Sequence, residues 1–232
     1  MRSFLSQIRI GKEVLAALRE RGPLFIYHYF AEVVFFDWLH GTDTRRRKMN
    51  VVRGTGAVHY VPSFTSVVRT TLRRVRALSG KRFDELQFFD IGCGKAKVLL
   101  IYAREFGKAA RHPPKGIEYD PELCSAAKKN IDRMDLARSG VEVMCADARL
   151  APGYVTAERA VFFLYNPFAG ALFREFVQSV ASVPHWLIYV DPVEKPVLLD
   201  MGYRIVEAVT GRYHADSWLI AVHDGDRGDV PR

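Results

Sequence analysis

The apolar positions of this chain change rhythm near residue 86. Before it they recur at helical spacing; after it, short apolar runs alternate with amphipathic segments. Leu5, Ile8, Val14, Leu15 and Leu18 fall near one stripe and predict a helix over residues 1–21. Gly22 and Pro23 punctuate, and Pro23 suits the first turn of a second helix running to about His40. "GTDTRRRKMNVVRGTGA" is a polar connection. In "VPSFTSVVRTTLRRVRALSG", Pro62 and Ser63 open a third helix and Gly80 closes it. Val67, Leu72, Val75 and Leu78 form its apolar side, and arginines cover the other.

From Leu86 onward strands and helices alternate. "LQFFDI", "KGIEYD", "VEVMCAD", "AVFFLYNPF" and "HWLIYVDP" predict five strands. "KVLLIYAREFG", "PELCSAAKKNIDRMDL", "ALFREFVQSVAS" and "EKPVLLDMG" predict helices between and after them, with Gly107 past the end of the first. Asp120 is the expected N-cap of the second, with Pro121 at its first position. "YRIVEAV" and "SWLIAVHD" can close the chain as a hairpin. The pattern predicts an α/β fold: a doubly wound, seven-stranded, mostly parallel sheet with a C-terminal antiparallel hairpin strand, preceded by a helical N-terminal extension. The expected division is residues 1–55 as the extension, a lid or substrate platform, 56–223 as the main domain, and 224–232 as a frayed tail.

Composition adds little to that picture. The 232 residues, 49% hydrophobic and 26% charged, fit a soluble globular chain with a full core. Cys93, Cys124 and Cys145 are far apart and have no zinc spacing, so no metal site and no disulfide framework is expected. Reduced cytosol, a cytoplasmic location, is the simplest compartment. Cys93 is read as a small buried filler. The opening segment lacks the uninterrupted apolar core of a secretory signal. "LFIYHYFAEVVFFDWL", residues 24–39, falls short of the ~20 residues that span a bilayer and is broken by His28, Glu32 and Asp37. It is read as a buried helix, while its aromatic content leaves an interfacial helix open.

Charge is uneven. Residues 1–85 hold 16 Lys/Arg against 7 Asp/Glu; residues 86–232 hold 18 against 19. The excess therefore lies before residue 86, densest at Arg45–Lys48. Solvated helix faces explain it, and so does a surface for nucleic acid or an acidic protein.

"FFDIGCGKAKVLL", residues 88–100, carries the chemistry. A buried strand reaches Asp90, then Gly92 and Gly94 alternate, then a helix begins. Such a turn lets a ligand approach backbone without meeting a Cβ. A P-loop would end in Gly-Lys-Ser/Thr, which is absent. A dinucleotide fingerprint wants glycine where Lys97 stands.

Asp90-Ile91-Gly92-Cys93-Gly94-Lys95-Ala96 instead resembles the loop of class I S-adenosylmethionine-dependent methyltransferases, with Ala96 where that family commonly has glycine. The resemblance covers roughly residues 56–223 and brings companions in order. It implies S-adenosyl-L-methionine as cofactor, its methionine ammonium on Asp90, its backbone approach at Gly92 and Gly94, and its ribose hydroxyls on Glu118. It further implies adenine beside Tyr119, with its amino group on Asp147. "LYNPF" resembles the Asn-Pro-Pro-aromatic signature of methyltransferases acting on amide or amine nitrogen, with Phe168 directly after Pro167. Asn166 would accept from the substrate nitrogen, Pro167 would present a carbonyl beside it, and Phe168 would wall the pocket. "HYVPSFTSVV" resembles a turn of small protein lysine methyltransferases, which places Tyr60 at the methyl-transfer pocket beside Pro62 and Ser63.

The expected function is methylation of a nitrogen by direct in-line transfer, with a protein lysine or other amine as first acceptor. A nucleic-acid base is the alternative, as is a non-catalytic module of this fold or an RNA-binding one. A protein or nucleic-acid substrate would use the basic N-terminal region, and a small-molecule substrate stays open.

Overall fold

The structure is a computed structural model that describes residues 23–45 and 61–225. The expected helix over 1–21, Tyr60, Arg46–Lys48 of the basic run, and most of the tail lie outside the described residues.

Helix α1 (Pro23–Tyr29) passes through a π-helical turn (Phe30–Val34) into α2 (Phe35–His40). Gly41 ends it in the left-handed conformation at φ 65°. Helix α3 (Thr65–Ser79) follows. Then come β1 (Gln87–Ile91), α4 (Lys97–Glu105), β2 (Lys115–Glu118), α5 (Pro121–Arg133), β3 (Glu142–Cys145) and β4 (Ala160–Tyr165). Helix α6 (Ala171–Val180), β5 (His185–Val190), α7 (Lys195–Asp200), β6 (Arg204–Val209) and β7 (Trp218–His223) complete the chain.

The seven strands form one sheet in the order β3-β2-β1-β4-β5-β7-β6. Strands β1 to β5 pair in parallel; β7 lies antiparallel between β5 and β6. Central strands with both faces covered need apolar residues throughout. All five residues of β1 are accordingly buried. Alternation sorts them: Phe88 packs with residues of α3, α4 and α5, while Phe89 packs with residues of α6 and α7 on the other face. Asp120 caps α5 as expected, accepting from the Glu122 and Leu123 N–H groups.

Three local expectations need correction. Pro62 and Ser63 do not open α3, which starts at Thr65 with Phe64 in the N-cap position and no side-chain cap. Leu78 lies outside the core at 40% exposure. The helical stretch 24–39 is only half-buried. Val33 and Phe36 enter the core, but Tyr27, Phe30, Phe35, Trp38 and Leu39 are exposed. The hydrophobic period marks an apolar helix; it does not say which side the core covers.

Strands β1 and β4 are neighbours, and their onward connections run to opposite sides of the sheet. The crevice beyond their carboxyl ends is where open α/β sheets bind ligands.

Candidate active site

A cavity of ≈ 480 Å³ opens at those strand ends. Asp90, Gly92, Glu118, Tyr119, Asp147, Pro167 and Phe168 all line it, as do Val61 and Ser63 of the turn before α3. Residues from the ends of four strands thus converge. Gly94 and Asn166 are bonded to or adjacent to lining residues.

The glycine loop is shaped by its own contacts. Gly92 and Gly94 take φ 69° and 53°. A Cβ on Gly92 would collide with the Cβ of Pro167, so glycine is needed here for contact between the two motifs. Ala96 is also left-handed, at φ 69°. That conformation costs an L-residue about 1–2 kcal/mol, which accounts for glycine being the easier residue there. Cys93 is buried, and burial pushes its thiol well up, as suits a filler and not a nucleophile.

The two cavity acids differ. Glu118 Oε2 accepts from Gly94 N and Oε1 from Asp120 N, each at 2.9 Å. Each oxygen keeps one lone pair for a further donor. Burial raises its carboxyl, and the two N–H donors oppose the rise. Asp90 is 3% exposed, and its Oδ2 is buried with no hydrogen-bond partner. Burial first, and the neighbouring Glu118 charge second, hold Asp90 well above the usual carboxylate range. An orphaned carboxylate oxygen against a cavity calls for a cation or a strong donor. These two acids fit the ammonium and ribose of S-adenosylmethionine. Tyr119, 72% exposed, offers a free ring face beside them.

Asp147 is arranged differently. It caps a 3-10 turn (Ala148–Tyr154) and pairs with Arg149, whose Nη2 lies 2.6 Å from Oδ2. That side-chain hydrogen bond pulls its carboxyl below the usual range. A ligand amino group would share this acid with the arginine.

At the end of β4, Asn166 takes φ 37°, and at the end of β5 Asp191 takes φ 53°. Asn166 Nδ2 donates to Asp191 Oδ2 at 3.0 Å. A carboxylate partner fixes the amide's orientation, so Oδ1 is the acceptor. Oδ1 is buried and unpartnered. Two strained residues bonded across adjacent strand ends are typical of a site held for function. Phe168 lines the cavity but is mostly core, edge-on to Phe176 with ring centroids 5.5 Å apart.

Lys97 was absent from the expected site. It is 2% exposed and lines the cavity. Its Nζ donates to Glu32 O and Ser63 O, both at 2.6 Å, and lies 5.1 Å from the Phe36 ring centroid. Burial lowers its ammonium to about 7. A second tie runs beside it: Asn130 accepts from Asp43 N at 3.0 Å and donates to Lys95 O at 3.1 Å. Residues 23–45 are thereby strapped to the glycine loop. A lysine after a glycine loop was the only sequence signal, and its partners lie 34 and 65 residues away.

No protein-family model and no curated protein sequence matches the chain. Solved structures do. A variant of MtNAS in complex with S-adenosylmethionine aligns with TM-score 0.51 and 16% identity over 69% of this chain and 62% of that one. The chain therefore spans less than two thirds of that protein. CalS10, an amino pentose methyltransferase from Micromonospora echinaspora, aligns with TM-score 0.52 and 14% identity over 68% of this chain and 91% of that one. A ribosomal protein L11 methylase from Lactobacillus delbrueckii subsp. bulgaricus aligns with TM-score 0.50 and 12% identity over 69% and 78%. At these identities the likeness is one of architecture: the chain has the Rossmann-like fold of the class I S-adenosylmethionine-dependent methyltransferases.

Proposed function

We propose that this protein binds S-adenosylmethionine in the cavity at the ends of β1 to β4 and transfers its methyl group to a nitrogen, with a protein lysine or other amine as the acceptor. The observation that carries the reading is Asp90 Oδ2, a buried, unpartnered carboxylate oxygen on a cavity that Glu118 also lines. When bound, S-adenosylmethionine supplies an electrophilic methyl on a sulfonium that is already a good leaving group.

The chain's residues then bind, orient and exclude water. Asp90 holds the ammonium, and Glu118 accepts from the ribose hydroxyls while the Gly94 and Asp120 N–H groups keep it in place. Tyr119 covers the adenine, with Asp147 at its edge. Asn166 accepts from the incoming nitrogen, its amide turned by Asp191. Orientation of this kind lowers the barrier without a covalent enzyme intermediate. An amine must arrive unprotonated, and a dry site favours that form. The straps through Lys97 and Asn130 hold residues 23–45 against the glycine loop, which supports their reading as a lid or substrate platform.

Incubation of the purified protein with methyl-labelled S-adenosylmethionine and a cell lysate tests the reading, with protein and RNA fractions counted separately. Label in the protein fraction, lost with Asn166→Ala, is expected. Label confined to RNA points to a base as acceptor. Label in neither fraction, nor in small molecules, contradicts methyl transfer.

A further inference from the structure

Cys124 and Cys145 are far apart in sequence, and the fold brings them together behind one wall of the cavity. Cys124 lies in the first turn of α5, and Cys145 is the last residue of β3. Both flank Glu118. The sheet register pairs Cys145 with Glu118. A single oxygen, Glu118 O, accepts from Cys124 Sγ at 3.3 Å and from Ala146 N at 3.0 Å. The Cys124 sulfur therefore sits against the Cys145–Ala146 peptide, and the two thiols are in hydrogen-bond contact. Burial first, and that contact second, push the Cys124 thiol up to about 12.

The pair is asymmetric. Cys124 is buried and Cys145 is exposed, so a reagent in solution reaches Cys145. Cys93 is also buried, its sulfur packed over Gly116. The segments that carry the pair also carry cavity wall. Leu123 precedes Cys124, Ala146 and Asp147 follow Cys145, and all three line the cavity. Asp120 N, at the start of α5, holds Glu118 Oε1 at 2.9 Å. An S–S bond is about 2.05 Å long, shorter than any thiol hydrogen bond. Forming it draws the end of β3 toward α5 and removes the Sγ–H donor from Glu118 O. The wall at Leu123, Ala146 and Asp147 moves with it, and so does the support of Glu118.

We propose that Cys124 and Cys145 are a thiol–disulfide switch: exchange with a small-molecule disulfide joins them reversibly and weakens S-adenosylmethionine binding at the adjoining cavity wall. The effect on binding rests on the cofactor reading above; the bond itself does not. The exchange runs in two steps. The Cys145 thiolate attacks one sulfur of the small disulfide, a mixed disulfide forms on Cys145, and one small thiolate leaves and takes up a proton. Cys124 then loses its proton to solvent and attacks the Cys145 sulfur, and the second small thiolate leaves and is protonated. The two protein thiols are oxidised, and the small disulfide is reduced to two thiols. The high value of the Cys124 thiol makes the second step the slow one. A bond with one exposed sulfur is open to reduction by the reverse route.

The full chain is incubated with excess oxidised glutathione, free thiols are alkylated with iodoacetamide, and a non-reducing tryptic digest is read by mass spectrometry. The expected product joins peptide 116–128 to peptide 139–149, with the loss of two hydrogens and with Cys93 alkylated. Calorimetry then compares S-adenosylmethionine binding by the oxidised and reduced proteins. Oxidation should weaken it about fivefold or more, and dithiothreitol should restore it. Cys145→Ser, a change at an exposed position, should bind as the reduced wild type does and ignore the oxidant. Glutathione held on Cys145 without the cross-link overturns the proposal. So does a Cys93–Cys124 bond in its place, and so does a cross-linked protein with unchanged affinity. Reduced wild type that binds no S-adenosylmethionine is a different result: it overturns the cofactor reading and, with it, any control of that binding, whatever the peptides show.

Discussion

Gly92 and Pro167 are in contact across the cavity floor, so closely that a Cβ on Gly92 would overlap the Cβ of Pro167. The glycine loop after β1 and the Asn-Pro-Phe turn after β4 are therefore one packed unit. Their spacing is fixed by the absence of a side chain.

Gly92→Ala should cost about 2–4 kcal/mol, from the left-handed φ and the collision together. Gly153→Ala is the control, because nothing lies within 4 Å of a Cβ there. It should stay within about 0.5 kcal/mol of wild type. Urea unfolding of the three proteins measures both values.

Lys97 predicts a slope at alkaline pH. Its folded value is about 7 against an ordinary 10.5. Between those values the unfolded chain holds a proton that the folded one does not, so stability rises with pH across that window. The rise should amount to a few kcal/mol, and Lys97→Met should flatten it. Stability curves taken at several pH values from 6.5 to 10 decide this.

His185 predicts the opposite edge. Its Nδ1–H donates to Val183 O at 2.6 Å, and its Nε2 accepts from the Tyr203 hydroxyl at 2.7 Å. Burial pushes it down to about 4 from 6.5. The folded state holds it neutral while the unfolded state takes a proton, so stability is lost as pH falls from 6.5 to 4. The loss should be on the order of 3 kcal/mol, and His185→Gln should remove most of it. Thermal melts at pH 4.5 and 7 compare the two.

Much of this was legible from local pattern. Apolar runs placed all seven strands, and Asp120-Pro121 marked the start of α5, because strand period and capping act over a few residues. Asp90, Glu118 and Pro167 were named through the resemblance of their motifs, and they lie at or just past the ends of β1, β2 and β4, where the strand ends of a parallel sheet converge. What stayed hidden depends on long-range partners. Lys97 could not be seen as a strap before Glu32 O and Ser63 O were in place. Asp191 could not be tied to Asn166 across 25 residues. The Asp147–Arg149 pair is local, but an acid in that position has the same residue signature whether it caps a turn or meets a ligand.

Asp90 predicts a proton count. Burial and the Glu118 charge raise its carboxyl, and a ligand ammonium favours the ionised form. Binding S-adenosylmethionine should therefore release protons and tighten as pH rises through the titration of Asp90. Apparent enthalpies should differ between phosphate and Tris buffers, and Asp90→Asn should erase the difference. Equal enthalpies in wild type would mean that Asp90 is already ionised.

The most direct test of the central claim is calorimetric titration of the protein with S-adenosylmethionine, beside Asp90→Ala and Glu118→Ala. Saturable one-to-one binding, weakened about tenfold or more in each variant, is the predicted result. Absence of binding by folded wild-type protein, or binding that neither variant weakens, would contradict it.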